Sequence, residues 1–106
     1  PKCKKLVLGC ESNLSDDNIS KLTHLTNLTL FFQNNTNKCL ENIDLEYLDI
    51  VETPNITLDG IKHMKKLKTL IIEIGSKIDK EIGELDKNNN FLINANISRM
   101  GYTEID

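Results

Sequence analysis

Three cysteines, two histidines and a scatter of carboxylates are the side chains in this sequence that could do chemistry. Cys3, Cys10 and Cys39 are odd in number and include no C-x-x-C pair, so their spacing offers neither a zinc site nor a redox motif. Cys3 falls on an apolar position of the repeat described below and reads as a small core hydrophobe. A disulfide between Cys10 and Cys39 would need an oxidising compartment. His24 and His63 occupy different positions of that repeat, so they do not stack into a site and read as surface residues. The adjacent Asp16 and Asp17 read as favourable charge at a helix N-terminus rather than as an acid–base pair. No Ser/His/Asp arrangement, phosphate-cradling glycine loop or metal-spaced carboxylate cluster is present in the sequence. The expectation is a chain that is not an enzyme and holds no cofactor and no metal.

Composition narrows the partners. The 106 residues fit one small domain. With 13 basic against 16 acidic residues the formal charge is −3, which argues against nucleic acid as a partner and against a polybasic membrane-surface role. The longest purely apolar runs, such as Leu70-Ile71-Ile72, fall far short of the ~20 residues that span a bilayer. Twelve Lys against one Arg, with 13 Asn and 13 Ile, is the signature of AT-rich codons rather than of a chemistry. The chain opens on Pro1, and nothing precedes Cys3 as a cover, so the expectation is a piece trimmed or cut from something longer.

The leucines are ordered, and this identifies the elements that must position every other side chain. The pattern apolar-x-x-apolar-x-apolar occurs at Cys3/Leu6/Leu8, Leu25/Leu28/Leu30, Leu45/Leu48/Ile50 and Leu67/Leu70/Ile72, with a degenerate fifth copy at Asn88/Phe91/Ile93. The starts at 3, 25, 45, 67 and 88 give steps of 22, 20, 22 and 21. The second half of each unit repeats as well. Leu14 to Leu22 aligns with Ile56 to Met64 without a gap, and Ile78 to Leu85 is a shorter version. Period-two alternation predicts a short strand in the first half of each unit. Apolar pairs three apart (Ile19/Leu22, Ile61/Met64, Ile82/Leu85) predict a turn or two of helix in the second. Ser15 and Thr57 stand where a hydroxyl can cap such a helix. A unit this small cannot bury its own apolar face, so stacked copies must share one core.

On these residues the chain resembles leucine-rich-repeat proteins over residues 3–94. Leu14 to Leu22 and Ile56-Thr57-Leu58-Asp59-Gly60-Ile61 are similar to the I-T-D-x-G-L signature of the cysteine-containing repeats found in F-box-associated proteins. The resemblance implies an α/β solenoid: a short right-handed arc with a parallel concave sheet, short convex helices and residues 95–106 as a C-terminal cap. At the ninth repeat position, where that family places Cys or Asn, this chain has Glu11, Gln33, Thr53, Gly75 and Asn96, of which only the last fits, and Cys10 stands one residue early.

In such an arc, repeat positions 3, 5 and 7 face out of the concave sheet. These columns hold Lys5, Asn27, Tyr47, Thr69 and Asn90; then Val7, Thr29, Asp49, Ile71 and Leu92; then Gly9, Phe31, Val51, Glu73 and Asn94. Apolar and aromatic residues on adjacent strands, rimmed by charge, are the composition of a protein-contact surface. The expected function is a protein–protein interaction module, with Phe31, Tyr47, Asp49, Val51, Ile71 and Glu73 contacting a protein partner. The alternatives are an assembly subunit of a larger complex or homo-oligomer, and a substrate-receptor part of a ubiquitin ligase adaptor. The last would need an F-box-like helical segment, which these residues lack.

N-x-S/T occurs at Asn13, Asn18, Asn27, Asn34, Asn55 and Asn96, against the one or two that composition alone predicts. The polar–apolar–polar alternation of the repeat writes part of this excess. Asn27, on the concave sheet, would be a poor glycan position. The expected location is intracellular and cytoplasmic; a secreted, N-glycosylated chain is the alternative.

Overall fold

A computed structural model describes residues 2–85 and 95–101. The chain runs through β1 (Lys5–Leu8), α1 (Asp16–Ser20), β2 (Asn27–Phe31), a 3-10 turn at Asn37–Leu40, β3 (Tyr47–Val51), a second 3-10 turn at Leu58–Gly60, β4 (Thr69–Glu73), α2 (Lys77–Leu85) and β5 (Asn96–Met100). The five strands form one sheet in chain order, and every neighbouring pair is parallel. Parallel neighbours require a crossover between them, and the helical segments supply it.

The apolar spacing becomes the register of the sheet. Leu6, Leu28, Leu48 and Leu70 lie opposite one another from strand to strand. Alternation then turns these residues and Leu8, Leu30, Ile50 and Ile72 to one side. There they join Ile19 of α1, Cys39 and Leu40 of the first 3-10 turn, Ile61 and Met64 after the second, and Ile78 and Ile82 of α2 in a single buried cluster. Every helical segment therefore packs on the same face of the sheet. All-parallel sheets are ordinarily covered on both faces. Here the opposite face carries Lys5, Val7, Tyr47, Asp49, Ile71 and Glu73, which are half-buried or exposed, together with Thr29 and Val51, which are buried. Val7 is 54% exposed.

Side chains tie each crossover to the next. Ser15 caps α1 as expected, its Oγ accepting from the Asn18 N–H at 3.1 Å. Thr57 stands at the corresponding position but makes no cap bond. Its hydroxyl instead accepts from Asn37 Nδ2 at 2.7 Å, while Asn37 Oδ1 accepts from the Thr57 N–H at 2.9 Å. That approach requires Gly60, where a Cβ would lie 2.3 Å from Asn37 Oδ1. Asp16 does more than supply charge to a helix of five residues. Its carboxylate accepts from Asn35 Nδ2, the Thr36 N–H and Thr36 Oγ at 3.0, 3.0 and 2.6 Å. Burial opposes ionisation of Asp16, but the bonds from Thr36 and Asn35 outweigh it and hold the carboxyl below its usual range.

The ninth-position residues solve the problem of the loop backbone with other letters. Gln33 is 4% exposed, and its Nε2 donates to the carbonyls of Gly9, Ser12 and Phe31 at 2.8–2.9 Å. Thr53 Oγ1 reaches the carbonyls of Leu30 and Val51 at 3.1 and 3.2 Å. At Gly75 the backbone itself turns left-handed (φ 80°), and its N–H donates to Asp79 Oδ2.

The fifth strand corrects the sequence reading. The spacing selects Asn88, Phe91 and Ile93, which lie outside the described residues; the sheet is completed by Asn96–Met100, within the segment assigned as a cap. Asn96 pairs with Thr69 and Ile97 with Leu70. The next core-side slot, opposite Ile72, is filled by Arg99, which is paired with Asp79 at the start of α2. The Gly75 N–H and then Arg99 hold the Asp79 carboxyl below its usual range.

Candidate functional site

The uncovered sheet face is built by strand alternation alone, since each core residue forces its neighbours to the other side. Two rows cross it in register. Asn27, Tyr47, Thr69 and Asn96 form one; Thr29, Asp49, Ile71 and Ser98 form the next. The pairing of β3 with β4 ends at Asp49↔Ile71, whereas β2–β3 continues to Phe31↔Val51 and β4–β5 to Glu73↔Met100. A groove of about 210 Å³ lies at this point, lined by Phe31, Asp49, Val51, Ile71, Met100 and Gly101. Four of the six residues selected from the sequence thus share one site. Met100 and Gly101 were not among the residues selected; the positions assigned to this face from the fifth copy, Leu92 and Asn94, lie outside the described residues.

The other two selected residues stand apart from the groove. Tyr47 is joined to it indirectly, its hydroxyl donating to Asp49 Oδ2 across a long 3.5 Å. Glu73 lines a neighbouring depression of about 150 Å³ with Glu52, Thr53, Pro54 and Lys77. Burial, then repulsion from Glu52, pushes the Glu73 carboxyl above its ordinary range.

Asp49 is the electrostatic anomaly of the groove. Its Oδ1 is closed off from solvent and has no hydrogen-bond partner. Burial pushes the carboxyl up, and the bond from Tyr47 only partly counters this. Burial, followed by the negative charge of Asp49 and that same bond, pushes the Tyr47 phenol up in turn. An ionised carboxylate held this way lacks the donors that normally compensate its removal from water.

A larger depression of about 450 Å³ lies between the loops after β1 and β2, lined by residues including Cys10, Asp16, Phe32 and Gln33. Its buried polar groups are already committed: Gln33 to loop carbonyls, and Asn35 to the Leu14 carbonyl and Asp16. The cysteines are all free; Cys10 is exposed, Cys3 half-buried and Cys39 buried. Burial, then the Asp16 charge, pushes the Cys39 thiol up to about 12, which makes it inert at neutral pH. His63 Nε2 lies 2.9 Å from the Ile43 carbonyl, and His24 is exposed. Among the described residues no group of three or more His, Cys, Asp or Glu could hold a metal ion, and no helix is long and apolar enough to cross a membrane.

No family model, curated protein or solved structure matches the chain.

Proposed function

We propose that the chain is a short leucine-rich-repeat solenoid whose concave sheet binds a protein partner, and that it is not an enzyme. The observation that carries this reading is a face of an all-parallel sheet on which no described helical segment packs. On that face Phe31 and Ile71 stay half-buried and line one groove with the buried Val51. The in-register rows of the first four strands support the solenoid, since a constant step of 20–22 residues is what stacked units produce. A sheet that is already rigid loses little entropy when a partner docks. Compared with a designated small-molecule pocket of about 300–1,000 Å³, the groove is small and open, which favours a protein surface over a metabolite.

The test is a paired affinity purification with the wild-type chain and the Tyr47→Ala/Ile71→Ala double variant. The expected result is a partner retained by the first and lost by the second, with nearly unchanged thermal melts. A partner retained equally by both sinks the assignment. A second reading, an assembly subunit, is favoured by β1, which has a hydrogen-bonded strand on one side only and exposes Val7. Sedimentation separates its homo-oligomeric form, which self-associates where a free module does not.

A further inference from the structure

We infer that the groove accepts a protein segment carrying a lysine or arginine, whose aliphatic stem lies against Phe31, Val51 and Ile71 and whose N–H groups are donated to Asp49. The inference rests on the sheet face being the docking surface and states the chemistry of what docks there.

Three observations converge on a cationic side chain. The first is the unfilled valence of Asp49: Oδ1 has no partner and Oδ2 has only the long bond from Tyr47. Asp49 itself lines the groove, so a side chain docked there meets its carboxylate. A donor arriving there gains a charge-assisted bond to a carboxylate that otherwise has only the long bond from Tyr47. The second is the shape and lining of the space. Apolar walls with one carboxylate match a side chain that is apolar along its length and charged at its tip. The third is the charge of the face. Among the described strand residues on this side, Asp49 and Glu73 are anionic and the one cation is Lys5, on β1; beyond the strands, Glu52 and Lys77 share the depression of Glu73. Arg99 is turned to the other side and paired with Asp79.

The same charges disfavour the other occupants. A two-fold dimer through this face would set the acidic groove against its own copy. Residues 102–106 follow Gly101 directly in the chain, but they carry Glu104 and Asp106, of the same sign as Asp49.

The experiment selects short random peptides on the full chain by phage display. The binding of one selected peptide is then measured by fluorescence anisotropy. The expected peptides carry Lys or Arg beside an aliphatic residue. Replacing that basic residue by Met weakens binding about tenfold, Asp49→Asn does the same to the parent peptide, and the two losses together are less than additive. If peptides are selected without a basic residue, or if binding ignores Asp49→Asn while Ile71→Thr abolishes it, the cation assignment falls and the docking surface stands. Binding that ignores Ile71→Thr overturns the sheet-face reading itself. Self-association dispersed by Ile71→Thr, with no peptide bound, makes a second copy the occupant and overturns the inference. Circular dichroism melts confirm that each variant is folded.

Discussion

Across one side of the sheet, Leu28, Leu48 and Leu70 lie in register and are fully sealed from solvent. One residue further along each strand, on the other side, Thr29, Asp49 and Ile71 lie in register and bring three different chemistries. The backbone is the same, and the pleat alone separates the two rows. The core row has one acceptable chemistry, because anything polar there would lose its water without compensation. The open row is mixed: Ile71 is half-buried, Thr29 is buried, and Asp49 Oδ1 has lost its water without gaining a donor. Its apolar members and its poorly satisfied carboxylate therefore call for an explanation other than folding, and a partner supplies one.

The comparison breaks if the two rows respond alike to mutation. Leu48→Ala is expected to cost about 3 kcal/mol, because a fully buried leucine loses transfer energy and leaves a cavity. Ile71→Ala, on the open row, should cost less than about 1.5 kcal/mol. Chemical denaturation of both variants checks this, and equal losses would erase the distinction between the faces.

Gln33→Ala comes next. It leaves the carbonyls of Gly9, Ser12 and Phe31 without the donor they share. The expected loss is about 2 kcal/mol, read by denaturation. A cost near zero would mean that water replaces the amide, and that the loops differ from the core in kind.

Acid titration sharpens the contrast between carboxylates. Asp16 and Asp79 have folded-state values below their unfolded ones, so each stabilises the fold above the ordinary value of 3.8, and that contribution is lost as pH falls through the lowered folded value. Asp49 is raised, so its sign is opposite: its charge costs stability at neutral pH, and the cost disappears as pH falls and the group is protonated in both states. Asp49→Asn should therefore raise the melting temperature at pH 7 by about 2–4 °C, with the gain vanishing in acid. Asp79→Asn should lower it at pH 7 and flatten the acid limb. Melts collected across the acid range test both. A destabilising Asp49→Asn would mean that the carboxylate is structural rather than held for a ligand.

The smallest effect belongs to the rim. Lys21 and Asp17 pair at 3.3 Å with side chains 70% and 78% exposed. Lys21→Ala should change stability by less than about 0.5 kcal/mol, and denaturation in low and high salt should agree.

Much of the framework was legible in the residues. The steps between the leucine patterns put Lys5, Asn27, Tyr47 and Thr69 opposite one another, and the structure has that register. Phe31, Tyr47, Asp49, Val51 and Ile71 were assigned to the face away from the core by their repeat positions in the arc that the resemblance implies. The fifth strand was not legible, because a pattern of apolar residues cannot recognise an arginine in a core-side slot. Arg99 stays exposed there and pairs with Asp79. The loop ladder was hidden for a similar reason: Gln33 and Thr53 differ in letter from Cys and Asn but can donate to the same kind of carbonyl.

For β1 to β4, the sequence by itself determined which residues face the core and which residues stand beside each other on neighbouring strands. Both follow from local rules, the two-residue pleat and a nearly constant spacing, which no distant residue can alter. Only the tertiary structure decided where β3 and β4 cease to pair, that Met100 and Gly101 close the groove there, that Thr57 turns to Asn37 instead of capping its own turn, and that Asp49 Oδ1 is left without a donor. Each of these depends on distances between side chains remote in the chain, and such distances are set by packing.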